Sequence, residues 1–433
     1  MGFLSIIPLR LARQMLILCR IPLEEQVLCQ TRKKSVWQPT NRCEWLGITL
    51  DTTEGSLCIP EGRIISLFSS LEEVKKTFPM VSPRKLCSVA GKILSMSLVL
   101  GNVSKLMTKG LFTTIEKRAT WDTKLDISGF PQACNELGFW AENIKKLNKK
   151  LLFQQELPKV ITFSDASSVA CGAVILGSNQ IAHKNWNEKE KSMSSTWREL
   201  TAVQYALKSF VPILKGSPVH WFTDNKNVVS IINNGSMKAH LQEITLDIFS
   251  LCLNNNISLF PEWVPREYNT QADLISKVID YDDWQTTEWF FNEISKRWGP
   301  FTIDRFASSL NAKCPRFNSL LWNPGTEQVN AFSVSWEGEN NWLVPPVFLI
   351  SKTILFLLSC RAKGVLIAPC WPSAPFWPLI FKNKFATQSY VSDLVYFQNP
   401  TGIFKLGNYK GSLLGSRKYT SPVLVVVLDA TES

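Results

Sequence analysis

Histidine is nearly absent from this chain. Its 433 residues include three, His183, His220 and His240, so imidazole-dependent chemistry is excluded from both ends of the sequence. The 11 cysteines are scattered singly with no C-x-x-C pair, which removes the usual spacing of a structural zinc site. Their odd number and spread suit buried thiols of an intracellular chain, cytoplasmic or nuclear, better than the disulfide framework of a secreted one. An apolar stretch fit to span a bilayer is also missing. Leu343 to Cys360 comes nearest, but Pro345, Pro346 and Lys352 interrupt it, so it reads as a buried helix and no membrane partner is expected. Met1 to Arg20 carries Arg10, Arg13 and Arg20 without an acid. It has no small-residue cleavage site, and Ile6 stands where a myristoylation motif needs Ser or Thr. An amphipathic helix is the expectation there.

Hydrophobic residues make up 45% of the chain and charged ones 19%, ordinary values for a folded protein. The length suits two or three domains. A net charge of +11 favours a polyanionic partner, most simply nucleic acid.

Inside the stretch from Ile161 to Lys277 four acids stand at regular places. They lie in Phe163-Ser164-Asp165-Ala166-Ser167, Trp197-Arg198-Glu199-Leu200, Phe222-Thr223-Asp224-Asn225 and Gln271-Ala272-Asp273-Leu274. Val160 to Phe163 is a β-prone run delivering Asp165, with strands at Gly172 to Ile175 and Gln180 to His183 to follow across a Gly177-Ser178-Asn179 turn. A helix capped by Ser194 or Ser195 runs to about Phe210, its apolar face formed by Leu200, Val203, Leu207 and Phe210, with Glu199 at the border. Val219 to Phe222 delivers Asp224. Helices at Asn225 to Ile232 and His240 to Leu253 break at Asn234-Gly235, Ile257 to Phe260 is the last strand, and Thr270 opens a short helix carrying Asp273, with Leu274 inward. Phosphodiester hydrolysis by two metals needs several carboxylates to hold hard divalent cations such as Mg²⁺ or Mn²⁺. Strand ends and a first helical turn give rigid places for such ligands, and unpaired carboxylates would otherwise be an electrostatic liability.

This β-β-β-α-β-α-α-β-α order resembles a type 1 ribonuclease H. Through T-F-S-D-A-S, W-R-E-L-T-A-V, F-T-D-N and E-W-V-P-R-E-Y-N-T-Q-A-D-L-I-S it is most similar to that of DIRS-type retrotransposons. The resemblance implies a five-stranded mixed sheet flanked by helices and a centre of Asp165, Glu199, Asp224 and Asp273 holding two Mg²⁺ or Mn²⁺ ions, with no small-molecule cofactor. It also implies cleavage of the RNA strand of an RNA–DNA hybrid. Ser195, Thr196, Arg198 and Lys226 are candidate nucleic-acid contacts. Two positions depart from the family: Pro265-Arg266-Glu267-Tyr268 has no histidine, and Thr196 stands where an asparagine is common. The alternative is a nucleic-acid-binding remnant without catalysis.

Ahead of this stretch, Lys33-Lys34-Ser35-Val36 leads to Cys43–Asp51, read as one strand with its turn at Thr52 to Gly55. Ile59-Pro60 opens a helix through Ile64, Leu67 and Leu71, and Ser82-Pro83 announces another through Leu86, Val89, Ala90, Ile93 and Leu94. Lys145 to Lys150 reads as a basic helix end, closed by Pro158. The order K-K-S-V, W-L-G-I-T-L-D, I-P and V-S-P-R-K-L-x-x-x-x-G-K resembles the end of a retroelement reverse transcriptase: last palm strands, thumb and connection. The first aspartate is Asp51, beyond the place of the paired palm aspartates, so no polymerase activity is expected. Tyr281-Asp282-Asp283 imitates a polymerase motif but reads as an exposed acidic turn.

After Lys277 comes a helix bearing Trp289, Phe290, Ile294 and Trp298, ended by Gly299-Pro300, and then alternating strands and helices of a small α/β domain. Its tryptophans are expected in core and loop packing. The region resembles the methyltransferase-like segment of DIRS-type elements. Val344 stands where such an enzyme needs a polar residue before Pro345-Pro346, and no G-x-G loop is visible, so methyl transfer is not expected. The whole reads as a multi-domain α/β chain: a mainly helical reverse transcriptase remnant over 1–150, a ribonuclease H domain over 155–280, an α/β domain over 281–395 and a tail over 396–433.

Overall fold

The computed structural model describes residues 40–152, 160–178, 180–282, 284–383, 386–408, 411–416 and 419–431. The expectations placed on Met1 to Arg20, on Lys33 to Val36 and on Pro158 lie outside these residues. Contacts divide the chain into two compact units, Met1–Glu156 with Asn233–Gln242, and Leu157–Ile232 with Glu243–Ser433.

In the first unit the stretch read as one strand is a hairpin, Arg42–Trp45 against Ile48–Asp51. The reason is local: Leu46 and Gly47 both take positive φ, 48° and 72°, the geometry of a tight two-residue hairpin turn that glycine makes accessible. Ser56–Cys58 and Lys150–Leu151 extend the sheet to four strands, so Lys150 belongs to a strand and not to a helix end. Helices Glu61–Thr77 and Pro83–Leu94 bury Ile64, Leu67 and Leu71 and Leu86, Val89, Ala90 and Ile93, matching their apolar spacing. Pro83 is the first helical residue after an extended Ser82, whose side chain makes no capping bond. The cap of the helix Lys109–Glu116 comes instead from a distant acid. Glu136, fully buried in the helix Pro131–Asn143, accepts from the backbone amides of Gly110 and Leu111 at 2.7 and 2.9 Å.

The second unit begins with strands β1 (Val160–Ala166), β2 (Ala170–Ile175) and β3 (Ile181–Asn185). Next come helix α1 (Ser195–Leu214), strand β4 (Pro218–Thr223), helices α2 (Lys226–Asn234) and α3 (Ala239–Asn254), strand β5 (Ser258–Trp263) and helix α4 (Thr270–Ile275). The sheet order is β5-β4-β1-β2-β3. β2 pairs antiparallel with both β1 and β3, while β4 lies parallel to β1 and β5 parallel to β4. This is the mixed five-stranded sheet expected. The Ser194 hydroxyl caps α1 by accepting from the Trp197 amide at 3.2 Å. α1 continues through Pro212 to Leu214, one turn past the expected end, and buries Leu200, Val203, Leu207 and Phe210. Helix α4 differs from expectation in its inward face. Leu274 is 66% exposed, while Ala272 is fully buried. The helix meets the sheet at Gly172, where a Cβ would lie 2.5 Å from Ile275 Cγ2 and 2.7 Å from the Ser276 amide nitrogen. A bare backbone at that position brings the helix close.

Beyond it, helix α5 (Glu288–Trp298) is capped by Thr287 and ends at Gly299. Strands β6 (Ile303–Asp304), β7 (Asn340–Leu343), β8 (Lys363–Pro369), β9 (Val391–Phe397) and β10 (Val423–Asp429) make a second five-stranded sheet in the order β6-β7-β8-β10-β9. Residues 396–433, expected as a tail, therefore supply an interior strand. β10 pairs antiparallel with β8 and with β9, and its Val423 to Val426 are fully buried. A β-branched run without polar alternation is the pattern of a strand covered on both faces. Val365, Ile367, Val423 and Val425 pack with Phe290 and Ile294 of α5 on one face. Leu366, Ala368, Leu424 and Val426 pack with Ile350, Ile354 and Leu357 on the other. Those three lie on helix α6 (Ile350–Ser359). The helix expected over Leu343 to Cys360 is thus shorter, because Leu343 ends β7 and Pro345-Pro346 forbid an earlier start. Of the tryptophans after Lys277, Trp336 and Trp342 are fully buried in core packing as expected, while Trp289 is 58% exposed. Among the described residues no helix is long and apolar enough to cross a membrane.

Candidate metal centre

Three of the four predicted acids meet. Asp165 is the penultimate residue of β1, opposite Gly172 of β2; Glu199 lies in the second turn of α1, and Asp224 directly follows β4. One carboxylate oxygen from each lies within 4.8 Å of the other two. They open into a cleft of about 350 Å³ that Ser195, Lys226 and Arg266 also line. Of the predicted nucleic-acid contacts, Ser195 and Lys226 reach the cleft; Thr196 and Arg198 are not among the residues lining it.

Asp273 stands apart from this triad. Its carboxylate is held by Arg266 Nη2 at 2.6 Å and Lys277 Nζ at 2.5 Å. These hydrogen bonds hold it below the ordinary aspartate pKa. It remains close enough to act on Asp165 through its charge. The pair Asp273–Lys277 has i,i+4 spacing, legible in the sequence. Arg266 sits in the P-R-E-Y segment noticed there only for its missing histidine.

Electrostatics mark the triad as unfinished. Glu199 is 6% exposed. Burial first, then the Asp165 and Asp224 charges, push its pKa up to about 9. Its carboxylate accepts a backbone bond from Ala166, but Oε2 is buried with no hydrogen-bond partner. Asp165 is also raised, by burial and then by Asp224 and Asp273, against a 2.6 Å hydrogen bond from Ser276 Oγ. An orphaned buried oxygen beside two more carboxylates is the oxygen donor set that hard divalent cations prefer, so the residues fit a metal ion.

A supporting layer holds the strand ends in place, and sequence reasoning missed it. Trp221 Nε1 donates to Ser164 Oγ at 2.9 Å and Asn269 Nδ2 to Ser164 O at 3.0 Å, fixing the backbone before Asp165. Trp263 Nε1 donates to the Asp224 carbonyl at 2.9 Å, and Lys226 Nζ lies 4.1 Å from the Trp263 ring centroid. Trp263 and Asn269 stand inside a quoted motif, but their partners, two backbone carbonyls, and the Ser164 hydroxyl that Trp221 meets are brought near only by the fold.

The family model of the RNase H-like domain found in reverse transcriptase matches residues 157–249. That of DNA N-6-adenine-methyltransferase (Dam) matches residues 275–365. A search of curated proteins finds no match. Among solved structures, RNase H1 from the halophilic archaeon Halobacterium salinarum NRC-1 is 16% identical, covering 27% of this chain and 92% of its own with a TM-score of 0.24. LC11-RNase H1 in complex with RNA/DNA hybrid is 18% identical over 27% of this chain and 93% of its own, TM-score 0.24. The foamy viral protease-reverse transcriptase in complex with RNA/DNA hybrid is 13% identical over 59% of this chain and 34% of its own, TM-score 0.23. An RNase H-like domain followed in one chain by a Dam-like region fits a retrotransposon polyprotein.

Proposed function

We propose that residues 155–280 form a retroelement ribonuclease H that cuts the RNA strand of RNA–DNA hybrids endonucleolytically, of the DIRS type suggested by its motifs. The observation that carries this reading is the triad of Asp165, Glu199 and Asp224 with its unpaired Glu199 oxygen, inside a segment matching an RNase H-like family. Asp165, Glu199 and Asp224 would hold Mg²⁺ or Mn²⁺, with Asp273 completing a two-ion site after release from Arg266 and Lys277. When bound, two such ions supply Lewis-acid activation of water and of the scissile phosphate. The chain's own part is to fix the carboxylates on two strand ends and a helical turn, and to offer Lys226 and Ser195 at the cleft to the substrate backbone. The surrounding division into a reverse transcriptase remnant over 1–150 and a C-terminal α/β region after 280 belongs to the same reading. No polymerase step is derived. No methyl-transfer step is derived either, because the residue before Pro345-Pro346 is the buried, apolar Val344.

A second reading, nucleic-acid binding without catalysis, draws on one observation: both oxygens of Asp273 are engaged by cations. The test is a hybrid with a labelled RNA strand, incubated with Mg²⁺ and either the wild-type chain or Glu199→Gln. Cleavage by the wild type that falls to background in the variant supports the enzyme. Salt-sensitive binding by both proteins with no cleavage in Mg²⁺ or Mn²⁺ supports the binding remnant.

A further inference from the structure

A second cavity in the same unit, of about 730 Å³, lies away from the acidic triad, and its walls include Arg305, Phe306, Phe332 and Lys352. Arg305 is 3% exposed. Its Nε donates to Asn341 Oδ1 at 2.7 Å and its Nη1 to Asn318 Oδ1 at 2.8 Å. Among the described residues no carboxylate lies within ion-pair distance of it. The acids whose field reaches it, Glu339 and Glu327, are both taken by Arg316 at 2.8 and 2.7 Å. Buried charges are normally paired. This one is met by two neutral amides and by the Trp336 ring, whose centroid lies 5.4 Å from its guanidinium carbon, and by no acid among the described residues; Asn318 Nδ2 beside it is a further buried donor without a partner.

The rest of the cavity bears on what an anion beside Arg305 would be attached to. Lys352 Nζ stands 4.2 Å from the Phe332 ring centroid, so a second cation and an aromatic face adjoin. Phe306 packs on Phe332 with centroids 5.7 Å apart. At the mouth Leu320 and Phe348 are 78% and 74% exposed, an apolar rim of a kind that marks binding surfaces. The volume is that of a small-molecule site, roomier than a phosphate needs. Asp280 and Asp282 line the cavity as well, so an anion there depends on the Arg305 and Lys352 cations.

We propose that this cavity binds a nucleoside phosphate, free or at the end of a strand, with the phosphate on Arg305 and Lys352 and the base against Phe306 and Phe332. The ligand differs from the sulfonium methyl donor that the Dam likeness suggests, since a buried arginine without an acid favours phosphate.

The test is equilibrium binding to the full chain of adenosine 5′-monophosphate, adenosine, inorganic phosphate, S-adenosylmethionine and a 5′-phosphorylated dinucleotide. The monophosphate is expected to bind about tenfold or more tighter than adenosine or inorganic phosphate, the gain of charge-assisted hydrogen bonds. Lys352→Gln, at an exposed position, is expected to cut monophosphate affinity several-fold and leave adenosine unchanged. Arg305→Gln should abolish the preference; a thermal melt checks its fold, and Lys352→Gln decides if it does not fold. Binding of the dinucleotide assigns the site to strand ends; its exclusion assigns free nucleotide. Equal affinity for adenosine and the monophosphate, tighter binding of S-adenosylmethionine, no binding of any probe, or a Lys352→Gln protein with unchanged selectivity would overturn the proposal.

Discussion

Replacing Asp224 by Asn separates the two roles of its charge. The oxygens of the triad lie within 4.8 Å of one another. Two full charges at about that distance repel by about 3 kcal/mol with an effective dielectric near 20. Asp224 is half-buried, and solvent and salt cut this to about 1–2 kcal/mol. In metal-free buffer Asp224→Asn should therefore raise the melting temperature, by about 2–4 °C per kcal/mol for a unit of this size. With divalent cation the order reverses. A site filled at about one hundred times its dissociation constant stabilises the wild type by about 2.7 kcal/mol, and the variant, lacking one ligand, loses most of that gain. The assay is thermal unfolding in chelator and in rising Mg²⁺ or Mn²⁺. A variant that melts below the wild type in chelator, or that gains as much from the cation as the wild type does, would refute the account of the triad as strained and metal-seeking.

Trp263→Phe keeps the ring but removes the hydrogen bond to the Asp224 carbonyl. A net loss of about 1 kcal/mol should slow hybrid cleavage about fivefold, measured in single turnover; an unchanged rate removes Trp263 from the supporting layer. Gly172→Ala drives a methyl to 2.5 Å from Ile275 Cγ2 and 2.7 Å from the Ser276 amide. It should cost about 1–3 kcal/mol by overpacking and weaken the Mg²⁺-dependent rise in melting temperature, because Ser276 holds Asp165; a neutral result contradicts the close approach of α4. Burial raises Glu136 from 4.5 to about 7 despite its bonds to Gly110 and Leu111. The folded first unit thus binds the proton more tightly than the unfolded chain. That stability is full below about pH 4.5 and is lost as pH rises through about 7, a change of about 3 kcal/mol. Urea unfolding of the wild type and Glu136→Gln across this range checks it: the variant should lack the slope.

The central sheet is legible because its strands and helices alternate with clear apolar periods, and because the three acids stand near element ends: Asp165 next to last in β1, Glu199 in the second turn of α1 and Asp224 directly after β4. Asp165, Glu199 and Asp224 could be placed from that order alone. Asp273 could not, since its fate depends on two cations, one of them on a neighbouring loop. The hydrophobicity of Leu274 points it inward in sequence, yet the contact with Gly172 turns Ala272 and Ile275 to the sheet instead. The run Val423 to Leu428 reads as a tail in sequence because its strand pairing with Lys363–Pro369 is non-local and leaves no mark in a short window. The hairpin at Leu46-Gly47 was hidden by a continuous β-prone stretch in which only one glycine signals the turn. Arg305 shows the same limit: an ordinary arginine in sequence becomes unusual only when the fold buries it beyond ion-pair distance of any described carboxylate.

The central claim is hydrolysis of RNA in a hybrid by the triad, and strand-resolved cleavage tests it most directly. An RNA–DNA duplex labelled on both strands, and an all-DNA duplex of the same sequence, would be incubated in Mg²⁺ with the wild type and with Asp165→Asn. The account predicts internal cuts in the RNA strand alone, made by the wild type and absent with the variant. Cleavage of the DNA strands, equal cutting by the two proteins, or an intact hybrid in both Mg²⁺ and Mn²⁺ would contradict it.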